Sequence, residues 1–108
     1  MKKSTAFLPA VVLVLGLTAP AYADIDAAAI YKSKCAACHG ADGKGQTVMG
    51  KTLHARDLGS DDVQKMKSEE LEKIITEGRN KMPSYKGKLS EAEIDALVKY
   101  IRTFAAPK

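Results

Sequence analysis

Two cysteines and a histidine fall in one five-residue run, Cys35-Ala36-Ala37-Cys38-His39, and these are the only cysteines of the chain. Two thiols three residues apart on a helical turn can each add to one vinyl group of the same porphyrin. The adjoining histidine is then held beneath the iron as the proximal ligand, which is the chemistry of covalent c-type haem attachment. A Cys35–Cys38 disulfide of the thiol-oxidoreductase kind would sit at the head of a helix in a βαβ context, and no strand signal is present. A structural zinc needs four ligands; His39 lies too close to both cysteines to serve comfortably with them, and His54 is the only other histidine.

A sixth iron ligand is sought among the methionines and the second histidine. Met82 is the first choice, because Gly78 and Pro83 bracket it in a segment that cannot be helix interior, leaving the thioether free to swing toward a haem. Met49, Met66 and His54 stay open as rivals, His54 giving bis-histidine ligation. A soft thioether favours ferrous iron and raises the reduction potential relative to a second imidazole.

These groups must be positioned by a small scaffold. Of 108 residues, the first 23 read as a secretory signal peptide: Met1, Lys2 and Lys3 make a basic start, Ala6 to Leu17 is apolar except for Pro9 and Gly16, and Ala21-Tyr22-Ala23 offers a cleavage site before Asp24. A dozen apolar residues is short of the roughly 20 that cross a bilayer, and no cysteine follows the cut to carry a lipid. Lys2 and Lys3 leave with the leader, so the formal charge of +4 falls by two. That small charge of mixed sign, with only 6% aromatic residues, speaks against a nucleic-acid surface. Residues 24–108 are expected to form one domain, exported to the periplasm or, in a photosynthetic cell, to the thylakoid lumen. A domain of this size often depends on a cofactor to supply what its core lacks.

The elements read as all-α. Asp26 precedes an Ala-rich run into Cys35, predicting a helix over 26–37. Five glycines between Gly40 and Ser60 predict a long loop that wraps something. A helical turn is expected at 61–66, then a helix capped by Ser68 and ended by Gly78, with Leu71, Ile74 and Ile75 on one face. Ser90 with Glu93 forms a capping box for a last helix to about Phe104, with Ile94, Leu97, Val98, Ile101 and Ala105 along one stripe.

The order of four features resembles the small class I monohaem cytochromes c of bacteria and photosynthetic organisms: C-A-A-C-H, the following C-H-G-A-D-G-K-G, Met82-Pro83 some 43 residues beyond the histidine, and Leu97-Val98-Lys99-Tyr100 in the closing helix. The resemblance covers 26–105. It implies three to five helices around one covalent haem c, with the N- and C-terminal helices crossing where Ala27 and Tyr31 face Leu97 and Tyr100, packing that closes the haem pocket. In that family a proline carbonyl often orients the proximal histidine. The 40–60 segment has no proline, and a carbonyl near Ala55 or Arg56 is expected instead.

With His39 and Met82 both bound, no position is open for substrate, so the chain is expected to be no enzyme but a monomeric carrier of single electrons between redox partner proteins. Lys34, Lys44, Lys81, Lys86 and Lys88 lie near the motif or the methionine loop and could ring the haem edge to steer acidic partners. The alternative is a haem-based sensor or peroxidase-like protein with a displaceable sixth ligand.

Overall fold

The structure, a computed structural model, describes residues 2–13, 16 and 24–107. Among the described residues six helices follow in order: α1 Ala27–Lys34, α2 Ala36–His39, α3 Val48–Leu53, α4 Asp61–Gln64, α5 Ser68–Glu77 and α6 Glu91–Arg102. Among the described residues there is no strand, only isolated bridges at Arg79–Met82 and Lys86–Leu89. The chain is all-α, as expected.

Local rules start most of the helices. Asp26 Oδ1 accepts from the Ala29 amide at 3.0 Å to begin α1. Ser90 and Glu93 form the full capping box of α6, with Glu93 N donating to Ser90 Oγ at 3.1 Å and Ser90 N to Glu93 Oε1 at 2.9 Å.

Several boundaries differ from the sequence reading. The helix expected over 26–37 breaks at Cys35 (φ −116°) and resumes as α2 through His39. The expected loop at 40–60 contains α3, whose cap is Thr47 accepting from Gly50 N at 2.8 Å. Ser68 is the first residue of α5 rather than its cap; Lys67 holds that position without a side-chain bond. The last helix stops at Arg102, and Ala105 is exposed.

The core gathers where α1 crosses α6. Tyr31 and Leu97 are 2% and 1% exposed, and Tyr31 packs on Tyr100 and Phe104 at ring distances of 5.1 and 5.2 Å. The Tyr31 hydroxyl donates to Gly40 O at 2.6 Å, so the crossing is tied to the end of α2. Ile94, Val98 and Ile101 of α6 continue the buried face toward Leu71 and Ile75 of α5. The apolar residues Phe7, Leu8, Val11, Val12 and Leu13 stay exposed and add nothing to this core. The expected cleavage site, Ala21 to Ala23, lies outside the described residues.

Candidate functional site

A cavity of about 470 Å³ opens between the motif and the methionine loop, within the roughly 300–1,000 Å³ range of cofactor sites. Cys35, Cys38 and His39 line it together with Met82, so residues far apart in sequence meet as expected. Its apolar lining includes Leu58, Val63, Leu71, Ile75 and Ile101.

His39 is oriented by the backbone. Its Nδ1 lies 3.1 Å from Arg56 O; a carbonyl can only accept, so Nδ1 carries the proton and Nε2 keeps the lone pair a metal needs. Burial pushes the imidazole pKa below its usual value, with the Arg56 bond pulling the other way, which favours the neutral, ligating form. The missing proline is thus replaced by Arg56.

Two further devices fix this wall. The Thr47 hydroxyl donates to the carbonyls of Ala37 and Cys38, at 2.7 and 3.0 Å, while capping α3; those carbonyls are orphans of the short α2. Gly45 has φ +70°, and a Cβ there would sit 2.5 Å from Ala55 O and 3.2 Å from Arg56 O. Gly45→Ala should therefore displace the carbonyl that holds His39 and destabilise the holo-protein by about 1–3 kcal/mol, read as a lowered urea midpoint; a midpoint equal to wild type would contradict this packing.

The methionine loop folds back on the end of α5. Tyr85 N and Lys86 N donate to Ile75 O and Thr76 O at 3.1 and 3.0 Å, and Ser84 Oγ donates to Thr76 O at 2.7 Å, occupying carbonyls the helix end leaves free. Gly78 permits the approach: a Cβ there would lie 2.7 Å from Met82 O. Arg79 and Met82 exchange backbone bonds of 3.1 and 2.9 Å, closing the turn that holds Met82.

The rivals separate. Met49 is 52% exposed on α3 and does not line the cavity. His54 lines it but is exposed, with its backbone in the left-handed region (φ 57°) that ends α3. Met66 lines it from a half-buried position on the Leu58–Met66 side.

Sequence reasoning missed Tyr85, which lines the cavity and donates from its hydroxyl to Lys34 O at 2.9 Å. That bond ties the methionine loop to the motif across 51 residues; an aromatic two places after Pro83 was its only signal. Of the five lysines expected at the rim, Lys34 and Lys81 line the cavity, and Lys44, Lys86 and Lys88 do not. Arg56 and Arg79 join them, and among the described residues no Asp or Glu does. Ala27, Tyr31, Leu97 and Tyr100 are not on the lining; Tyr31, Leu97 and Tyr100 belong to the core where α1 meets α6.

The chemistry of the donors fits a covalently held haem. Cys35 and Cys38 are not joined to each other, and burial pushes the Cys35 thiol up to about 11, whereas a thiol-exchange cysteine is driven toward thiolate. Among the described residues no three His, Cys, Asp or Glu side chains gather to hold a metal ion of their own. The room, the thiols, the oriented imidazole and the thioether are those of a c-type haem protein.

Comparison with known proteins agrees. Residues 23–101 match the family model described as cytochrome C oxidase, cbb3-type, subunit III. The chain is 35% identical to a cytochrome c6-like protein of Nostoc sp. over 82% of this chain and 79% of the relative. It is 36% identical to a cytochrome c6 of Picosynechococcus sp. over 94% and 92%. The solved structure of the KustC0563 c-type cytochrome superposes with a TM-score of 0.71 at 36% identity, covering 76% of this chain and all of that one. The chain belongs to this family of cytochrome c domains and is a small class I monohaem cytochrome c. It binds haem c covalently and is an electron-transfer protein.

Proposed function

We propose that this chain is an exported, diffusible single-electron carrier in which Cys35 and Cys38 hold the haem and His39 and Met82 are its axial ligands. The observation that carries this reading is the His39 Nδ1 to Arg56 O contact of 3.1 Å, which leaves Nε2 as the basic nitrogen on a cavity that both cysteines and Met82 also line.

The haem iron, when present, supplies the chemistry by moving between ferrous and ferric states. The protein's part is to keep that change small in geometry. Thr47 and Arg56 fix the motif, the Arg79–Met82 turn fixes the backbone that carries the thioether, and the Tyr85–Lys34 bond fixes the two to each other. With two protein ligands no position is left for substrate, so the reading is of a carrier and not an enzyme.

Lys34, Arg56, Arg79 and Lys81 at the cavity mouth give a positive rim that would steer acidic redox partners at salt-dependent rates. Residues 1–23 would be removed after Ala23 on export, to the periplasm or a thylakoid lumen. Among the described residues no helix is long and apolar enough to cross a membrane, and a monomer suits a diffusing carrier.

The test is the pair of visible spectra of the full chain expressed with a haem-maturation system. A low-spin c-type pattern with a weak long-wavelength band from sulfur-to-ferric-iron charge transfer is expected. A high-spin spectrum with carbon monoxide binding would replace this reading by the sensor or peroxidase-like one, and a bis-histidine spectrum would point to His54.

A further inference from the structure

The stretch between α3 and α5 supplies Leu58, Val63 and Met66 to the cavity, yet its only helix, α4, has four residues. One helical turn cannot sustain itself, since its formation fixes several dihedrals for a single hydrogen bond. Besides the Leu58 N to Gly43 O bond of 2.7 Å and the Ser60 cap of α4, two side chains hold the stretch. Gln64 Nε2 donates to Leu58 O at 2.7 Å and to Ile101 O at 3.0 Å. Arg102, in the last turn of α6, donates from Nη1 to Gln64 O at 2.8 Å and from Nη2 to Met66 O at 2.6 Å, with Ser68 Oγ at 3.3 Å. The ion pairs among the described residues are Lys65–Asp62 and Lys99–Asp95. The Arg102 guanidinium is therefore directed at carbonyls that the end of α4 leaves without partners.

We propose that Arg102, assisted by Gln64, is a positioning residue for the haem: its forked guanidinium holds the Leu58–Met66 wall closed and thereby keeps the reduction potential high. The proposal rests on the haem-site reading above. Water admitted through a loosened wall stabilises the more highly charged ferric form, and burial is one of the protein's levers on haem potential. Arginine is required by shape. Two carbonyls two residues apart are met by donors on two nitrogens held in one plane, whereas a lysine ammonium is a point charge on a flexible stem.

The shape argument separates the clamp from its charge. In the holo-protein, Arg102→Ala and Arg102→Lys are both expected to lower the potential by similar amounts. At a fixed applied potential the oxidised-to-reduced ratio should rise roughly threefold to tenfold, where tenfold is about 59 mV for a one-electron couple. Hydrogen exchange at the Met66 amide, which donates to Val63 O at 3.1 Å, should accelerate in both. Gln64→Ala keeps Arg102 and should shift the potential in the same direction by less; it carries the test if the Arg102 variants do not fold.

A wild-type potential in Arg102→Lys would reduce the effect to charge and overturn the clamp. Faster exchange with an unmoved potential would leave a structural brace and overturn it as well, as would an unmoved potential in Gln64→Ala. The wild-type spectrum is recorded first. If it lacks the c-type pattern, the haem-site reading fails and the proposal with it; if the pattern is present and the potentials do not move, the clamp alone fails.

Discussion

Cys35→Ser together with Cys38→Ser is expected to leave a colourless and largely unfolded chain, even when co-expressed with a haem-maturation system. Among the described residues the buried core is small, ten side chains from Tyr31 to Ile101, and its α5 and α6 faces border the cavity through Leu71, Ile75 and Ile101. The cavity of about 470 Å³ is lined mainly by apolar side chains, and without its occupant it must be wetted or collapse. Typical domains are stable by only about 5–15 kcal/mol and one this small has little core to compensate, so losing the contacts of a buried cofactor is enough to unfold it. Far-UV circular dichroism beside the visible spectrum decides it. A colourless protein with native helix content would show that the helices stand without the haem, and visible absorption surviving acid extraction from the precipitated chain would show that neither cysteine is needed for attachment.

The parts legible in the sequence were those set by neighbours along the chain. Asp26, the Ser90/Glu93 box and Gly78 each act within four residues, and each does in the structure what its type and spacing suggest. The stripe Ile94, Leu97, Val98 and Ile101 is buried for the same reason. Helix α3 was hidden because Val48 and Met49 are exposed, 85% and 52%, so no buried face marks it; the Thr47 cap was its one local sign. Ser68 misled because its hydroxyl has another use, accepting from Arg102.

The side chains that meet at the cavity were legible in the sequence, and what supports them was not. Cys35, Cys38, His39 and Met82 are recognised by type, and the structure brings all four to one cavity. Tyr85, Arg102 and Gln64 act through backbone oxygens as many as 51 residues away, and a carbonyl has no sequence signature. Arg56 was approached only because a proline was missing, and its own side chain plays no part in holding His39.

Met82→Ala is expected to abolish the sulfur-to-ferric-iron band and to lower the reduction potential by roughly 0.1–0.3 V, a part of the roughly 0.8 V range that axial ligands command. The thioether stabilises ferrous iron, and an alanine leaves the position to water or to a nearby base, both of which favour ferric. The turn itself should survive, because the Arg79 and residue 82 backbone bonds and the Ser84, Tyr85 and Lys86 bonds to α5 do not involve the methionine side chain. The change in potential would then report ligation and not a collapsed loop. Met66→Ala and His54→Ala are the controls, since both residues line the same cavity. Each should retain the band. Loss of the band in Met66→Ala with its retention in Met82→Ala would transfer the ligand to the Leu58–Met66 wall. A band absent from the wild type, with a spectrum altered only by His54→Ala, would make the protein bis-histidine. With Met82 confirmed, the reduced Met82→Ala protein should bind carbon monoxide where the wild type does not, because the ligand that closes the site against small molecules is the same one that sets its potential.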